Sequence, residues 1–515
     1  MLVFGDLTTL NARRYPNKPA LIMEGVELSY AELDARSNAL AHALIARGVA
    51  VGDRVALLGF NSLEYAVILH AVAKCGALIV PVNFRNTAAE LRHVIADSEP
   101  KILFAEAEFA ATVTEARSGA GAWPEELRVG ADHGGLPGSQ ALAAGRPRTP
   151  PGVQVDPQSS AVILYTSGTT GRPKGVLYAH ATYFRMFMAT SIEARLAHED
   201  VYLIAVPMFH AAGMNMALNQ ALFMGSTGVV HRGRFDPEVI LGLIARHRIT
   251  TAILVPTQVG MLASHPALAR HDVACLSRIF YGSMPMMPAV LQHALQVFPR
   301  ARFLQLYGST ECGMITALRH EDHERWWRSN GREALLSRFR VVDEQGNDVP
   351  VGGVGEVITE HARMGMIGYW RNEAATRETL REGWMRSGDL ARVEPEGFIT
   401  LVDRIKEVII SGGENIYSAE VESAISTLDG VAEVAVIGIP DEKWGEAVHA
   451  VVVPRAGRAL DAEAVVAHCR TLIAGYKVPR SVEIRAESLP LSGAGKVLKG
   501  PLREKFWAGR SKQVS

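Results

Sequence analysis

Residues 165–175 read Tyr-Thr-Ser-Gly-Thr-Thr-Gly-Arg-Pro-Lys-Gly, directly after the apolar run Ala161-Val-Ile-Leu164. The run reads as a strand, and the glycines after it mark a tight loop. Gly168, Gly171 and Gly175 allow backbone N–H groups to converge on an anion. Thr166, Ser167, Thr169 and Thr170 add hydroxyl donors, and Lys174 adds a positive charge. This donor set suits a triphosphate. It is not a Walker A loop, because Lys174 is followed by Gly175 rather than by serine or threonine.

Outward from the loop, short apolar runs alternate with longer helical segments to about residue 320. Residues 28–50 read as a helix opened by Ser29 with Glu32 three positions on. Val55-Ala-Leu-Leu-Gly reads as a strand, Glu64–Cys75 as an apolar helix, and Ala77-Leu-Ile-Val-Pro-Val as the next strand. That alternation predicts α/β layers with mostly parallel sheets. Residues 130–160, rich in Gly, Pro, Ala and Ser, read as a surface connection. After Asp403-Arg-Ile-Lys406 a second unit begins, with a helix from Ser418, strands at Ala432–Ile439 and Ala447–Val453, a helix from Asp461 and a strand near Val482–Ile484. We therefore expect a large N-terminal domain over 1–403 and a small α+β domain over 404–515.

Composition narrows the function classes. The 515 residues are 48% hydrophobic and 21% charged, ordinary for globular chains. Lys+Arg is 53 against 54 for Asp+Glu, a net charge of −1, which argues against a nucleic-acid partner. The four cysteines lie far apart without metal-ligand or redox spacing, which fits a reducing cytosol. The N-terminus lacks the apolar core of a signal peptide, and the most apolar stretches (66–82 and 201–230) are interrupted by His70, Lys74, Pro207, His210 and Asn215. A cytoplasmic enzyme with no integral membrane segment is the expectation.

The glycine-rich string resembles the signature loop of the adenylate-forming (AMP-binding) enzymes, which include acyl-CoA synthetases, luciferases and peptide-synthetase adenylation domains. The resemblance covers nearly the whole chain, in order. Leu28-Ser-Tyr-Ala-Glu-Leu and Gly76-Ala-Leu-Ile-Val-Pro-Val-Asn look like the early motifs. Pro207-Met-Phe-His210, Tyr307-Gly-Ser-Thr-Glu311, Ser387-Gly-Asp389, Asp403-Arg404-Ile-Lys406 and Gly495-Lys496 look like the later ones. The string Ser411-Gly-Gly-Glu-Asn-Ile-Tyr resembles the acyl-CoA ligase form, so the resemblance is to the acid–CoA ligase branch.

The resemblance implies ATP, Mg²⁺ and coenzyme A, and a role for each matching residue. Thr166, Ser167, Gly168, Thr169, Thr170, Gly171 and Lys174 would hold the β- and γ-phosphates. Glu311 would bind Mg²⁺, a hard cation that prefers oxygen ligands, and Thr310 would contact the α-phosphate. Gly282-Ser283-Met284, with Tyr307 and Gly308, would sandwich the adenine. Asp389 would accept hydrogen bonds from the ribose hydroxyls, and Arg404 would contact the ribose or phosphates. Lys496 would bridge the carboxylate and α-phosphate during adenylation. Lys406 aligns with a hinge about which the small domain, mobile in the family, rotates. That rotation withdraws Lys496 and brings Gly412-Gly413-Glu414 to the thiol tunnel.

The acid is less legible. No carboxylate stands beside Phe209-His210, where an amino-acid substrate would need a counter-charge. His210 would abut the carboxylate or gate the tunnel, or sit as a satisfied core histidine. Met208, Met214, Met216, Met284, Met286, Met287 and Met314 read either as a soft apolar pocket or as core. The first expectation is a small-molecule carboxylic acid of medium- or long-chain fatty type, and the second an aryl or phenylpropenoic acid. A stand-alone enzyme loading a carrier protein and a nucleotide-binding regulator are the alternatives. No carrier domain follows within the chain, and a homodimer is what analogy with the family allows. Departures from the family pattern are Ser418 for a usual proline, Ser492 for a usual threonine, Ser329-Asn-Gly-Arg-Glu-Ala for a Gly-Arg/Lys-Pro turn, and the run His361–Trp370.

Overall fold

The computed structural model describes residues 2–166, 173–284, 286–455, 457–491 and 497–508. The strands expected from buried apolar runs are present as Arg54–Leu58, Leu78–Val82 and Ser160–Thr166, and a further one forms at Ile102–Ala105. They pair in parallel with one another, as runs covered on both faces should. The chain divides into two compact units, Met1–Phe339 with Thr359–Arg386 and Arg340–Ile358 with Ser387–Ser515.

The first unit holds two sheets. One has seven strands, in the order Gly368–Tyr369, Lys174–Ala179, Ser160–Thr166, Leu78–Val82, Arg54–Leu58, Ile102–Ala105, Glu125–Arg128. The other has nine, in the order Arg332–Glu333, Gly313–Leu318, Arg302–Ser309, Arg278–Gly282, Thr251–Leu254, Val201–Ile204, Thr227–Val230, Pro19–Met23, Val26–Ser29. The inner pairings of both are parallel and the outer ones antiparallel, except that the edge strand Glu125–Arg128 runs parallel to Ile102–Ala105. Four of the motif segments leave the carboxyl ends of parallel strands: the loop after Ser160–Thr166, Gly282–Met284, Thr310-Glu311, and Pro207–His210 after Val201–Ile204. Ligands of α/β sheets bind at those ends.

Helix Tyr30–Ala46 begins where the cap motif places it, with Ser29 Oγ accepting the Glu32 N–H at 3.1 Å. Helix Leu63–Lys74 is mostly apolar and buried on all sides, and its charged ends Glu64 and Lys74 are paired within the core. The connection 130–160 is less superficial than its composition implies. It carries a short helix, Ser139–Ala143, whose Ser139 is buried and hydrogen-bonded to Glu64.

The second unit is built on the long hairpin Val431–Asp441 with Gly445–Pro454, joined by Ser481–Ile484 in parallel and by Ile409–Ser411. Helices Ser418–Ser426 and Ala462–Leu472 cover it through Val421, Ile425, Val465 and Cys469. Asp461 caps the second helix, accepting the Ala464 N–H at 2.7 Å.

One charged pair lies in the core of the first unit. Lys74 Nζ is 2.8 Å from Asp34 Oδ1, and Thr8, Thr9 and Asn38 also donate to Asp34. Burial opposes the charged form of Asp34, but the Lys74 charge and these hydrogen bonds win and hold its pKa below the ordinary value. The stability it contributes is therefore present above the unfolded carboxylate pKa and lost as pH falls through the lower folded one. Lys74→Met, which leaves Asp34 without its counter-ion, is expected to cost about 3 kcal/mol. Adding Asp34→Asn should return part of that, both read as urea midpoints of the first unit's transition.

Candidate active site

The site in the first unit is assembled around the turn Thr310–Cys312, between strands Arg302–Ser309 and Gly313–Leu318. A Cβ at Gly308 would stand 2.0 Å from the Gly313 carbonyl oxygen, so only glycine fits there. That explains the glycine of Tyr307-Gly-Ser-Thr-Glu311 as packing rather than chemistry. The Glu311 carbonyl accepts the Met366 N–H at 2.9 Å and the Tyr178 hydroxyl at 3.2 Å. Its carboxylate Oε1 accepts the Tyr369 hydroxyl at 3.0 Å.

Tyr369 also serves Lys174, whose Nζ lies 5.1 Å from the centre of the phenol ring, within cation–π range. Burial first, and then the Glu311 charge, push the Tyr369 pKa up. The phenol therefore keeps its proton, and its hydroxyl donates a hydrogen bond to Glu311. The edge strand Gly368–Tyr369 pairs with Leu177 and Val176, and the Trp370 N–H donates to the Gly175 carbonyl at 2.7 Å. One short strand thus ties the foot of the glycine-rich loop to the Glu311 turn. Sequence reading assigned no role to Tyr369 or Tyr178. A two-residue strand leaves no periodicity, and the run before Gly368-Tyr-Trp stood out only as a departure.

Thr166 and Lys174 are cross-strand partners that close the loop's base. Ser167, Gly168, Thr169, Thr170 and Gly171 lie outside the described residues, as does Lys496. Gly282 pairs with Leu306, which sets Gly282-Ser283-Met284 alongside Tyr307 and Gly308. Ser283 adopts a left-handed φ of +68°, a costly conformation for a residue with a side chain.

The N–H of His210 donates to the Pro207 carbonyl at 3.0 Å, and its carbonyl accepts the Met214 N–H at 2.9 Å. Its ring Nδ1 accepts the Ala212 N–H at 3.3 Å, which leaves the proton of a neutral imidazole on Nε2. The residues that follow, Ala212–Asn219, form a π-helix, a rare form concentrated at functional sites and invisible to helical periodicity. Of the methionines, Met208 and Met214 are fully buried in the core, whereas Met216, Met284, Met286 and Met287 are partly exposed.

In the second unit Asp389 and Arg404 are cross-strand neighbours, with Arg404 Nε donating to Asp389 Oδ1 at 3.0 Å. Asp389 is 7% exposed, and its N–H is held by Ser387 Oγ at 3.0 Å. The two groups expected at the ribose are therefore one unit. Lys406 lies in the short 3₁₀ turn Ile405–Glu407. Gly412 and Gly413, at φ +62° and +84°, are the two central residues of a tight hairpin that ends at Glu414. Such a turn needs positive φ at both positions.

The AMP-binding enzyme family matches residues 9–370, and its C-terminal domain matches 420–496. The chain belongs to the AMP-binding enzyme family. It is 39% identical over 505 residues to a feruloyl-CoA synthase of Amycolatopsis sp, covering 98% of this chain and 99% of that protein. It is 36% identical over 520 residues to the fatty acid–[acyl-carrier-protein] ligase ScoC of Streptomyces coeruleorubidus, covering 99% and 97%. ATP-bound MatB from Rhodopseudomonas palustris superposes with a TM-score of 0.88 at 32% identity, over 98% of this chain and all of that one. The acyl-CoA synthetase branch and the mixed α/β fold expected from the motifs are both borne out.

Acyl-CoA synthetases of this family use ATP, Mg²⁺ and CoA. Among the described residues no group of three or more His, Cys, Asp or Glu could hold a metal ion. A single carboxylate, Glu311, fits Mg²⁺, which takes one or two carboxylates and fills its remaining sites with water and phosphate oxygens. Tyr369→Phe removes a hydrogen bond to that charged group and is expected to slow adenylation about tenfold. The checking measurement is acid-dependent pyrophosphate release at varied Mg²⁺, with the loss partly recovered at high Mg²⁺.

Proposed function

We propose that this protein is an AMP-forming carboxylic acid–CoA ligase acting on an apolar acid. The observation that carries the reading is the triad of Lys174, Tyr369 and Glu311: Lys174 and Tyr369 lie on an antiparallel edge pair, and Glu311 follows the carboxyl end of the parallel-paired strand Arg302–Ser309. It supplies a cation for a polyphosphate and a carboxylate for its metal ion, each held apart from the other. Adenylation puts a carboxylate oxygen on the α-phosphorus and expels pyrophosphate; negative charge builds on the phosphoryl oxygens and must meet charges already in place. Lys174 with the 166–171 loop takes the β- and γ-phosphates, Thr310 the α-phosphate and Glu311 the Mg²⁺. Gly282, Ser283, Met284, Tyr307 and Gly308 take the base. Asp389 takes the ribose hydroxyls, Arg404 orients Asp389 and contacts the nucleotide, and Lys496 bridges carboxylate and α-phosphate. His210 presents Nε2–H toward the acid.

Thioester formation then puts the CoA sulfur on the acyl carbonyl and expels AMP. One chain performing both steps exchanges Lys496 for the Gly412-Gly413-Glu414 hairpin by turning at Lys406, at the junction of the domains 1–403 and 404–515. Lys406→Pro should impair thioester formation more than adenylation, measured as the two separate half-reactions; equal loss of both would argue against the hinge.

For the acid, an aryl or phenylpropenoic substrate now stands ahead of a fatty acid. Similarity to a feruloyl-CoA synthase supports it. The burial of Met208 and Met214 in the core also takes two residues from the soft pocket on which the fatty-acid reading leaned. Similarity to ScoC keeps a fatty acid, and a carrier-protein acceptor, as the second reading.

The test is pyrophosphate release with ATP and Mg²⁺ against cinnamates, benzoates and C2–C18 fatty acids, each with and without CoA. CoA-dependent turnover of one acid class is expected. Release indifferent to CoA would replace the reading with carrier loading. Lys496→Ala should slow adenylation sharply while leaving ATP binding measurable, and near-normal adenylation by that variant would overturn the assignment.

A further inference from the structure

A buried charge cluster in the second unit has no part in the reaction described above. Lys499 Nζ stands 2.7 Å from Ser418 Oγ, 2.7 Å from Glu422 Oε1 and 3.1 Å from Glu407 Oε2, so its three protons meet three acceptors. Its side chain is 10% exposed. Glu422 also accepts the Val436 N–H at 2.8 Å, and Asp403 accepts the Ser418 N–H. The serine at 418 is one of the departures from the family pattern. A proline there would offer neither the N–H nor the hydroxyl. Burial opposes the Lys499 charge, but Glu422 and Glu407 outweigh it and raise its pKa, so the lysine stays an ammonium.

The cluster joins three places that matter. Asp403 and Glu407 flank Lys406. Ser418 and Glu422 lie on the helix Ser418–Ser426. Lys499 is three residues after Lys496 and opens the helix Lys499–Trp507. A second contact follows the same route: Arg503 Nη1 donates to the Lys406 carbonyl at 3.3 Å. On the other side of Lys496 the chain is fastened to the hairpin. Leu489 and Leu502 are buried with Ile437 and Val451, the Leu489 N–H donates to Glu433 at 2.8 Å, and the Leu498 N–H donates to the Pro490 carbonyl at 2.7 Å.

Apolar packing therefore already holds this segment down. An ammonium buried among three carboxylates adds little net stability, since exchanging buried ions for apolar groups is often neutral or better. What it adds is direction: only one placement of helix and turn satisfies all three protons. We propose that Lys499 is a positioning residue that ties the Ile405–Glu407 turn to the segment after Lys496, so that turning at Lys406 and delivery of Lys496 are one motion. The proposal rests on the reading of Lys496 and Lys406 given under the proposed function.

The experiment compares Lys499→Met, Lys499→Arg, Arg503→Ala and Lys496→Ala in the full chain, using an acid identified by the panel. Adenylation is read as pyrophosphate release without CoA, and thioester formation as acyl-CoA made from supplied acyl-adenylate and CoA. Lys499→Met should slow adenylation by about tenfold to a hundredfold, the cost of misplacing a catalytic group by an ångström. Its KM for ATP and its thioester step should be little changed, and Lys499→Arg should recover part of the rate. Arg503→Ala, on the exposed side, should act in the same direction by a smaller factor, and carries the test if Lys499→Met does not fold. Normal adenylation in Lys499→Met and Arg503→Ala beside a slow Lys496→Ala would overturn this inference alone. Equal loss of both half-reactions in Lys499→Met would also overturn it, by making the lysine merely structural. Normal adenylation in Lys496→Ala would overturn the underlying reading instead.

Discussion

A polyphosphate site needs a cation and a carboxylate close together, and left alone the two would pair with each other. The phenol of Tyr369 prevents that. Its face lies beneath the Lys174 ammonium and its hydroxyl engages the Glu311 carboxylate, so each charge is held by a neutral group. Among the described residues neither is held in an ion pair, and under the proposed function such preorganised charges would contribute most where charge builds on the phosphoryl oxygens. The geometry depends on strand pairing rather than on side-chain chance. Tyr369 is registered against Val176, two residues after Lys174, while the neighbouring Met366 N–H holds the Glu311 carbonyl.

The parts legible in the sequence were those whose physics is local. Arg54–Leu58 and Leu78–Val82 read as strands because they are buried on both faces and so are almost wholly apolar. Ser29 and Asp461 announced helix starts because a cap is a contact within one turn. Gly412-Gly413 could be assigned to a loop, and the structure gives the reason in two positive φ angles. Tyr369 was not legible because its importance comes from strands far away in the chain. The π-helix Ala212–Asn219 was not either, since a widened turn leaves no repeating pattern in eight residues. Asp389 and Arg404 were each proposed for the same ligand, but only strand register reveals that they are hydrogen-bonded neighbours.

The second unit spends buried charge where a smaller apolar set would hold the same elements. Asp403, Glu407 and Glu422 face one lysine, and burial raises the pKa of Asp403 and Glu422 while Lys499 keeps that of Glu407 low. Such a cluster is intolerant of sliding. A leucine in place of Lys499 could pack in several registers, whereas an ammonium with three acceptors has one. Under the function proposed above, a rigid link between the Ile405–Glu407 turn and the segment after Lys496 would be worth its desolvation cost.

The same contrast between directional and non-directional forces explains why the nucleotide site could be read and the acid site could not. Holding a phosphate, a ribose or a metal ion demands particular atoms at fixed angles, so few residue types will serve and their order in the chain is recognisable. Holding an apolar acyl group demands only a shape, which many combinations of side chains produce. Met208 and Met214 illustrate it: identical in type to Met284 and Met287, they are buried in the core rather than partly exposed. Composition could not separate the two pairs, because dispersion and hydrophobic burial reward both places equally. Which side chains meet an apolar acyl group is a property of the fold, and no motif encodes it.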